Sequence, residues 1–441
     1  MVLPRPPLNE VFPMPRAPRQ RSGTPLPVKI AIGALAVLLV GAPFVPRGDD
    51  DDDGAVRPSA SGEAPELDAA TAGTSAITPV AQREIDRVVA QGATVGRTLT
   101  ARATPALLAQ TQVRCADFEG QRYCLHSGWT TDTPDEVVSG VIDAARQESA
   151  RRTTNTVNTG DADLLTTLRR SAALSPAARA AADRAELTAA ARSVAKVWLL
   201  RHQIQGVPLP EGFLEEHPEV TVPAAAKSTA GATASPTASP TAVTAPTDKT
   251  NQDYPQNKWI LDYKKVAEQT VTYYCGPTSM QMIAWNWSGT RKSQSYWADR
   301  LGTTSNGSAI SDLVRVTNAS TGWDRKAYAG PYIVLDIKDF SYRQWMLLTM
   351  RHIVDYRAPL ILHPILHKEF YPYLDDDASG HFQVGRGYNK RGDKANLVSY
   401  FEPWNQQRFD PSEPYIARLQ NRSAYKSYRA NLAHFQHNIG V

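Results

Sequence analysis

A run composed almost entirely of proline, alanine, threonine and serine interrupts this 441-residue chain over residues 222–250. This composition carries too little apolar surface for a packed core and is typical of extended, mucin-like linkers. The sequence changes sharply after Asp253, and most of the aromatic residues lie beyond it. We therefore expect a linker over 221–253 and a second compact domain over 254–441.

The N-terminus has the pattern of an exported or membrane-anchored protein. Residues 1–29 are rich in proline and arginine and predict a disordered cytoplasmic tail. An uncharged apolar run follows, so residues 30–46 predict a transmembrane anchor or a signal segment. Cations precede this run and acidic Asp49–Asp53 follows it, which orients the later domains outside the cytoplasm. The long tail and the lack of a clean cleavage motif favour a retained anchor over a secreted product, with a flexible stalk over 47–78.

Residues 79–220 predict a mostly helical domain in which we find no catalytic constellation, so its role stays unknown. A short stretch between Cys115 and Cys124 is typical of two strands joined by a turn. Helix patterns and start signals cover the following segments: 80–90, 105–112, 134–148, and a long run from Ser175 to Gln203 that ends before Gly206.

The three cysteines divide into a neighbouring pair and a single residue. Outside the cytoplasm, Cys115 and Cys124 would form a disulfide that closes a hairpin-sized loop. A zinc site made of Cys115, Cys124 and His126 is the competing interpretation, but it lacks a convincing fourth ligand. Cys275 would then be the unpaired cysteine of an exported protein, which marks it as a candidate reactive thiol.

Cys275 lies where a helix is expected to begin, because Pro277 suits the first helical position. The positive end of the helix dipole favours a thiolate, which is the nucleophilic form of cysteine. Six residues upstream, Gln269 is an amide donor that could stabilise an oxyanion. On these residues alone, a small buried cysteine beneath a helix is an equally good interpretation.

A thiol nucleophile needs a base, and the base needs a group that orients it. His381 lies in an alternating stretch that predicts a strand, and the next predicted strand, Leu397–Phe401, returns to it through a hairpin. Glu402 or Asn405 would then accept the imidazole N–H and fix its tautomer. His363 and His367 have metal-ligand spacing, but the intervening proline argues against a helix, so we expect a strand and no metal there.

The order of these groups resembles the bacterial papain-like cysteine peptidases of the thirty-ninth family, which include bacteriocin-leader-processing domains and stand-alone extracytoplasmic relatives. The segment Gln269–Ser279 resembles their active-site segment, and the segment His381–Tyr388 resembles their histidine block. Glu402-Pro403 stands where the family usually has Asp-Pro, which leaves Asn405 as the alternative third member. The resemblance covers the C-terminal region only.

The resemblance implies an α+β fold, with a papain-like C-terminal domain whose active-site helix packs on an antiparallel sheet. Together with the N-terminal pattern, it predicts a membrane-anchored, extracytoplasmic cysteine peptidase acting on a peptide or protein, with Cys275, His381, Glu402 and Gln269 at its site. No cofactor or metal is expected. Two alternatives stay open: a catalytically silent cell-surface binding module, and a hydrolase or acyl transferase in contact with the cell wall. The net charge of +4 is mild, and no recognised motif suggests nucleic acid.

Overall fold

The computed structural model describes residues 77–95, 102–151, 157–220, 249–323, 330–404, 406–409, 411, 416–432 and 434–441. The predicted tail, the predicted membrane segment, and most of the predicted stalk and linker lie outside these residues. Within the described part of the chain, no helix is long and apolar enough to cross a bilayer.

Helices predominate before the linker, and several start at a proline behind a capping hydroxyl. Thr104 and Ser175 each accept a backbone N–H of the helix that follows, which satisfies a donor of the first turn. The helices are α1 Pro79–Val95, α2 Pro105–Gln112, α3 Pro134–Arg151, α4 Leu164–Ala173, α5 Pro176–Ala191, α6 Val194–Leu200 and α7 Phe213–Glu216, with a π-helical turn Arg201–Gln205 and a 3-10 turn Pro218–Val220.

The helix predicted over 175–203 is divided in the structure. Its first part ends at Ala191, and α6 begins at Val194. Between them, the Ser193 hydroxyl donates to the carbonyl oxygen of Ala190, so it competes with the regular helical pattern. Helix α4 was not expected from the sequence; Asp163 caps it by accepting the N–H of Thr166.

The Cys115–Cys124 stretch forms the predicted pair of short strands. Strand β1 is Cys115–Phe118 and β2 is Gln121–Cys124, joined by a turn in which Glu119 and Gly120 have φ of 49° and 79°. The two cysteines pair across the strands and form a disulfide. This excludes the zinc interpretation, because sulfurs bonded to each other cannot act as thiolate ligands.

One further strand, β3 Gly128–Thr130, lies before the linker. After the linker, helices pack against short strands. These strands are β4 Asn257–Trp259, β5 Val334–Leu335, β6 Leu360–Leu362, β7 Gln383–Asn389, β8 Leu397–Phe401, β9 Leu419–Arg422 and β10 Ile439–Gly440. The helices are α8 Cys275–Ser288, α9 Gln294–Leu301, α10 Ile310–Ser320, α11 Tyr342–Val354, α12 Gln406–Phe409 and α13 Tyr425–Ala430.

The described strands form one sheet in the order β1-β2-β3-β5-β10-β6-β7-β8-β9, with β4 beside β7. Neighbours are antiparallel except β3 and β5, which run parallel with Trp129 opposite Leu335. At that junction Gly128 has φ of +93°, and a Cβ there would lie 2.6 Å from the carbonyl oxygen of Val334. The sheet therefore continues from the region before the linker into the region after it.

The α+β class is confirmed, since helices pack on a largely antiparallel sheet. Two local predictions needed correction. The strand expected around Leu360–Leu366 ends at Leu362, before Pro364, which has no N–H for a ladder. His381 precedes strand β7 rather than lying on it.

Candidate active site

Cys275 is the first residue of α8, two positions earlier than the predicted start at Pro277. Pro277 is tolerated in this first turn because its missing N–H would have had no helical partner. Gly276 allows the turn to approach a neighbouring loop, since a Cβ there would lie 2.5 Å from the Ser308 hydroxyl. The Cys275 side chain is fully buried.

Burial governs the protonation of this thiol. It raises the pKa of Cys275 well above the usual value, and the nearby carboxylates of Asp161 and Glu402 raise it further. The backbone N–H groups of Phe382 and Gly276 oppose this shift but do not outweigh it. The thiolate expected from the helix dipole is therefore not the favoured form in this structure, because desolvation disfavours the charged state.

His381 and Glu402 lie together at the open end of the β7–β8 hairpin, before β7 begins and after β8 ends. Strand pairing places Val384 opposite Phe401, so the residues just outside the two strands come together. The Nε2 atom of His381 lies 2.7 Å from Oε1 of Glu402, and both side chains are fully buried. The other ring nitrogen, Nδ1, is buried and makes no hydrogen bond among the described residues.

Glu402 is itself held by three further donors. Its Oε1 accepts the backbone N–H of Trp404 over 2.9 Å. Its Oε2 accepts the Tyr373 hydroxyl over 2.9 Å and the Gln383 side-chain amide over 2.8 Å. Both carboxylate oxygens are thus satisfied in a buried site, which fixes the direction in which His381 is held.

Gln269 is also fully buried, and its backbone N–H donates to Pro403 beside Glu402. Its side-chain Nε2 lies near three carbonyl oxygens, at 2.5 Å from Thr272, 3.2 Å from Val271 and 3.4 Å from Thr159. The carbonyl oxygen of Thr159 also accepts the backbone N–H of Cys275 over 3.3 Å. The Gln269 amide, predicted as an oxyanion donor, and the Cys275 N–H therefore converge on one carbonyl from the region before the linker.

His363, by contrast, has a partner that is not a metal. Its Nε2 lies 2.7 Å from Oδ2 of Asp161, and its ring stacks on Phe382 with centroids 4.5 Å apart. The described residues contain no group of three or more side chains arranged to hold a metal ion.

Comparison with known protein families gives a match in the C-terminal region. Residues 253–431 match the model of the Peptidase_C39 like family. Residues 253–431 are Peptidase_C39-like and are called the Peptidase_C39-like region below. No curated protein and no solved structure matches the chain. The predicted resemblance is confirmed for this region, and the Peptidase_C39-like region contains Cys275, His381, Glu402 and Gln269.

Asn405, the predicted alternative third member, lies outside the described residues.

Sequence reasoning missed several other residues at this site. Tyr373 and Trp404 donate hydrogen bonds to Glu402, and no sequence pattern around them predicted these contacts. Thr159 and Asp161 lie outside the Peptidase_C39-like region, so its motifs could not indicate them.

Proposed function

We propose that this chain is a cysteine peptidase that hydrolyses amide bonds with Cys275, His381 and Glu402. The observation that carries the proposal is the held imidazole: Glu402 accepts from Nε2 while Nδ1 makes no hydrogen bond among the described residues. A base oriented in this way has one nitrogen left for the thiol. The match to the Peptidase_C39 like family supports the same chemistry.

In the proposed reaction, Nδ1 of His381 takes the proton of the Cys275 thiol. The thiolate then forms a bond to the carbonyl carbon, and the carbonyl oxygen becomes an oxyanion held by the Cys275 N–H and the Gln269 amide. The carbon–nitrogen bond breaks as the imidazolium returns its proton to the leaving amine. Water, activated by the same imidazole, then releases the acyl group from the sulfur. Glu402 stabilises the imidazolium throughout.

The test is digestion of an unbiased peptide library, with products identified by mass spectrometry. We expect cleavage of internal amide bonds that disappears in Cys275→Ala and falls by at least about 100-fold in His381→Ala. Because Cys275 is buried, the digestion also uses two variants designed to expose it, Gly160→Ala and Asp161→Ala, which are here called the opened variants. Cleavage that persists in Cys275→Ala, or its absence from every variant, would contradict the proposal.

One observation favours the second candidate, a silent binding module. Cys275, His381 and Gln269 are fully buried, so the described residues leave no open cleft to the nucleophile in this conformation. A module that kept the fold without turnover would show such a covered site. It predicts that no variant cleaves the library even when Cys275 becomes accessible to small thiol reagents.

We also propose that the folded part lies outside the cytoplasm and is anchored by the apolar segment over 30–46. The Cys115–Cys124 disulfide supports this, because such bonds persist in oxidising compartments. Trapping the thiols of intact cells with an alkylating agent tests it. We expect both cysteines to stay unmodified until the sample is reduced; free thiols at both positions would argue against export.

A further inference from the structure

Residues Val157–Asp161, here called the cleft segment, come from the region before the linker and lie against the Peptidase_C39-like region. Val157 forms a parallel bridge with Ala378, and Asp161 forms a parallel bridge with Ser308. Between these two ends, the segment passes directly over the N-terminus of helix α8.

The cleft segment is held by its backbone on both sides, as an extended peptide is held by a sheet edge. On one side, the Ser379 N–H donates to the carbonyl oxygen of Val157 over 2.9 Å, and the Thr159 N–H donates to the Ser379 hydroxyl over 3.0 Å. On the other side, the Ser308 N–H donates to the Gly160 carbonyl oxygen over 2.9 Å. Such contacts bind a peptide by its main chain rather than by one side chain.

The Thr159 carbonyl contacts the two groups that would hold the oxyanion in the proposed reaction. Its oxygen accepts from the Cys275 N–H at 3.3 Å and from the Gln269 amide at 3.4 Å. These are the two groups assigned above to the oxyanion. The peptide bond between Thr159 and Gly160 therefore lies at the proposed oxyanion site.

Gly160 permits this close seating. Its φ is +112°, and a Cβ there would lie 2.2 Å from the carbonyl oxygen of Tyr273. On the other flank, a Cβ on Gly307 would lie 1.9 Å from the Gly160 oxygen. A larger residue at position 160 would have to move the segment away from the Tyr273 backbone.

Asp161 anchors the end of the cleft segment. Its buried carboxylate pairs with His363 over 2.7 Å and accepts the Asn431 amide over 3.2 Å. The same carboxylate contributes to keeping the Cys275 thiol protonated. After a cut between Thr159 and Gly160, the new N-terminal residue would stay held through its carbonyl oxygen, which accepts the Ser308 N–H, and through the neighbouring Asp161 carboxylate. Its amine would therefore remain near Thr159 and could re-form the bond.

We propose that the cleft segment is an autoinhibitory pseudosubstrate: it binds across Cys275 with the Thr159 carbonyl between the oxyanion donors and excludes other peptides. This rests on the proposed function for the roles of Cys275 and Gln269. For an external substrate to bind, the segment must leave the cleft.

The test measures the rate at which iodoacetamide alkylates Cys275 in the full chain. Gly160→Ala should raise that rate at least about tenfold, since it displaces the segment. Asp161→Ala should raise it as well, both by releasing the end of the segment and by removing a carboxylate that raises the pKa of Cys275. Gly206→Ala is the matched control, because Gly206 also has a positive φ, of +73°, but nothing lies within 4 Å of its added Cβ. Circular dichroism and retention of the Cys115–Cys124 disulfide show that the variants remain folded.

The outcomes separate the two proposals. Faster alkylation together with peptide cleavage supports both, and faster alkylation without any cleavage supports the cleft segment but contradicts the proposed function. Equal alkylation rates in wild type and both folded variants overturn the pseudosubstrate. Intact-mass measurement adds a second criterion: a wild-type chain cut between Thr159 and Gly160 overturns it, whereas an uncut chain supports it.

Discussion

The carboxylate of Asp161 lies 2.7 Å from Nε2 of His363, and the pair joins positions 202 residues apart on opposite sides of the linker. Both side chains are almost fully buried. Together with the pairing of β3 and β5, this contact makes the described residues before the linker part of the same sheet and core as those after it.

Cutting the chain in the linker should therefore leave its two parts associated. A protease site placed between residues 222 and 248 would allow the cut, and no disulfide joins the two parts because Cys115 and Cys124 both lie before it. We expect one peak in size-exclusion chromatography before and after cleavage. Two peaks under native conditions would show instead that the parts fold as independent domains; cleaved protein in urea provides the reference for separation.

Local signals predicted much of the fold. The strand Leu397–Phe401 and the helix Pro105–Gln112 were expected with the bounds the structure has, since strand and helix patterns are read from neighbouring residues. The hairpin that brings Glu402 to His381 followed from the same reasoning.

Contacts between the regions before and after the linker could not be predicted from such local patterns. Nothing in the sequence near Trp129 specifies Leu335 as its neighbour, because the pairing depends on which sheet edges the rest of the chain leaves uncovered. The protonation of Cys275 was misjudged for a related reason. The helix start was visible in the sequence, but the burial that outweighs it depends on the assembled fold.

Replacing Glu402 with Gln should impair catalysis more than folding. The amide keeps the shape but carries no charge to stabilise the imidazolium, and only one of its two ends can accept from the four donors present. We expect kcat to fall at least about 100-fold and stability to fall by about 1–3 kcal/mol.

Glu119→Gln is the matched control, because Glu119 also pairs with a histidine and lies outside this site. Its Oε2 is 2.7 Å from Nε2 of His217. Peptide cleavage by an opened variant, such as Asp161→Ala, provides the assay for both substitutions. An unchanged kcat in Glu402→Gln would remove Glu402 from the proposed triad.

Tyr373 is a positioning residue that acts through Glu402. Removing its hydroxyl in Tyr373→Phe leaves one carboxylate oxygen with only the Gln383 donor, so the imidazole is held less firmly. In the same opened background, we expect kcat to fall several-fold with little change in KM, and the acidic limb of the pH–rate profile to move. Tyr371→Phe is the control, since Tyr371 bonds the Ser427 hydroxyl instead. A loss of stability with an unmoved profile would indicate a purely structural role.

Two histidines, the buried His434 and the partly buried His437, should make the fold less stable in mild acid. Burial, with the charge of His363, lowers the pKa of His434 to about 3, and burial, with the charge of Arg429, lowers that of His437 to about 4. The unfolded chain titrates its histidines near 6.5, so between these pH values the unfolded state binds more protons than the folded state. Stability is therefore complete above about pH 6.5 and declines as the pH falls.

Urea unfolding between pH 7 and pH 5 measures this decline. Each of the two histidines contributes a slope of up to about 1.4 kcal/mol per pH unit within its window, because each takes up one proton on unfolding. His434→Gln should remove its share of the slope, whereas substitution of His202, which is only partly buried, serves as the control. A slope unchanged in His434→Gln would mean that His434 is not held neutral in the folded protein.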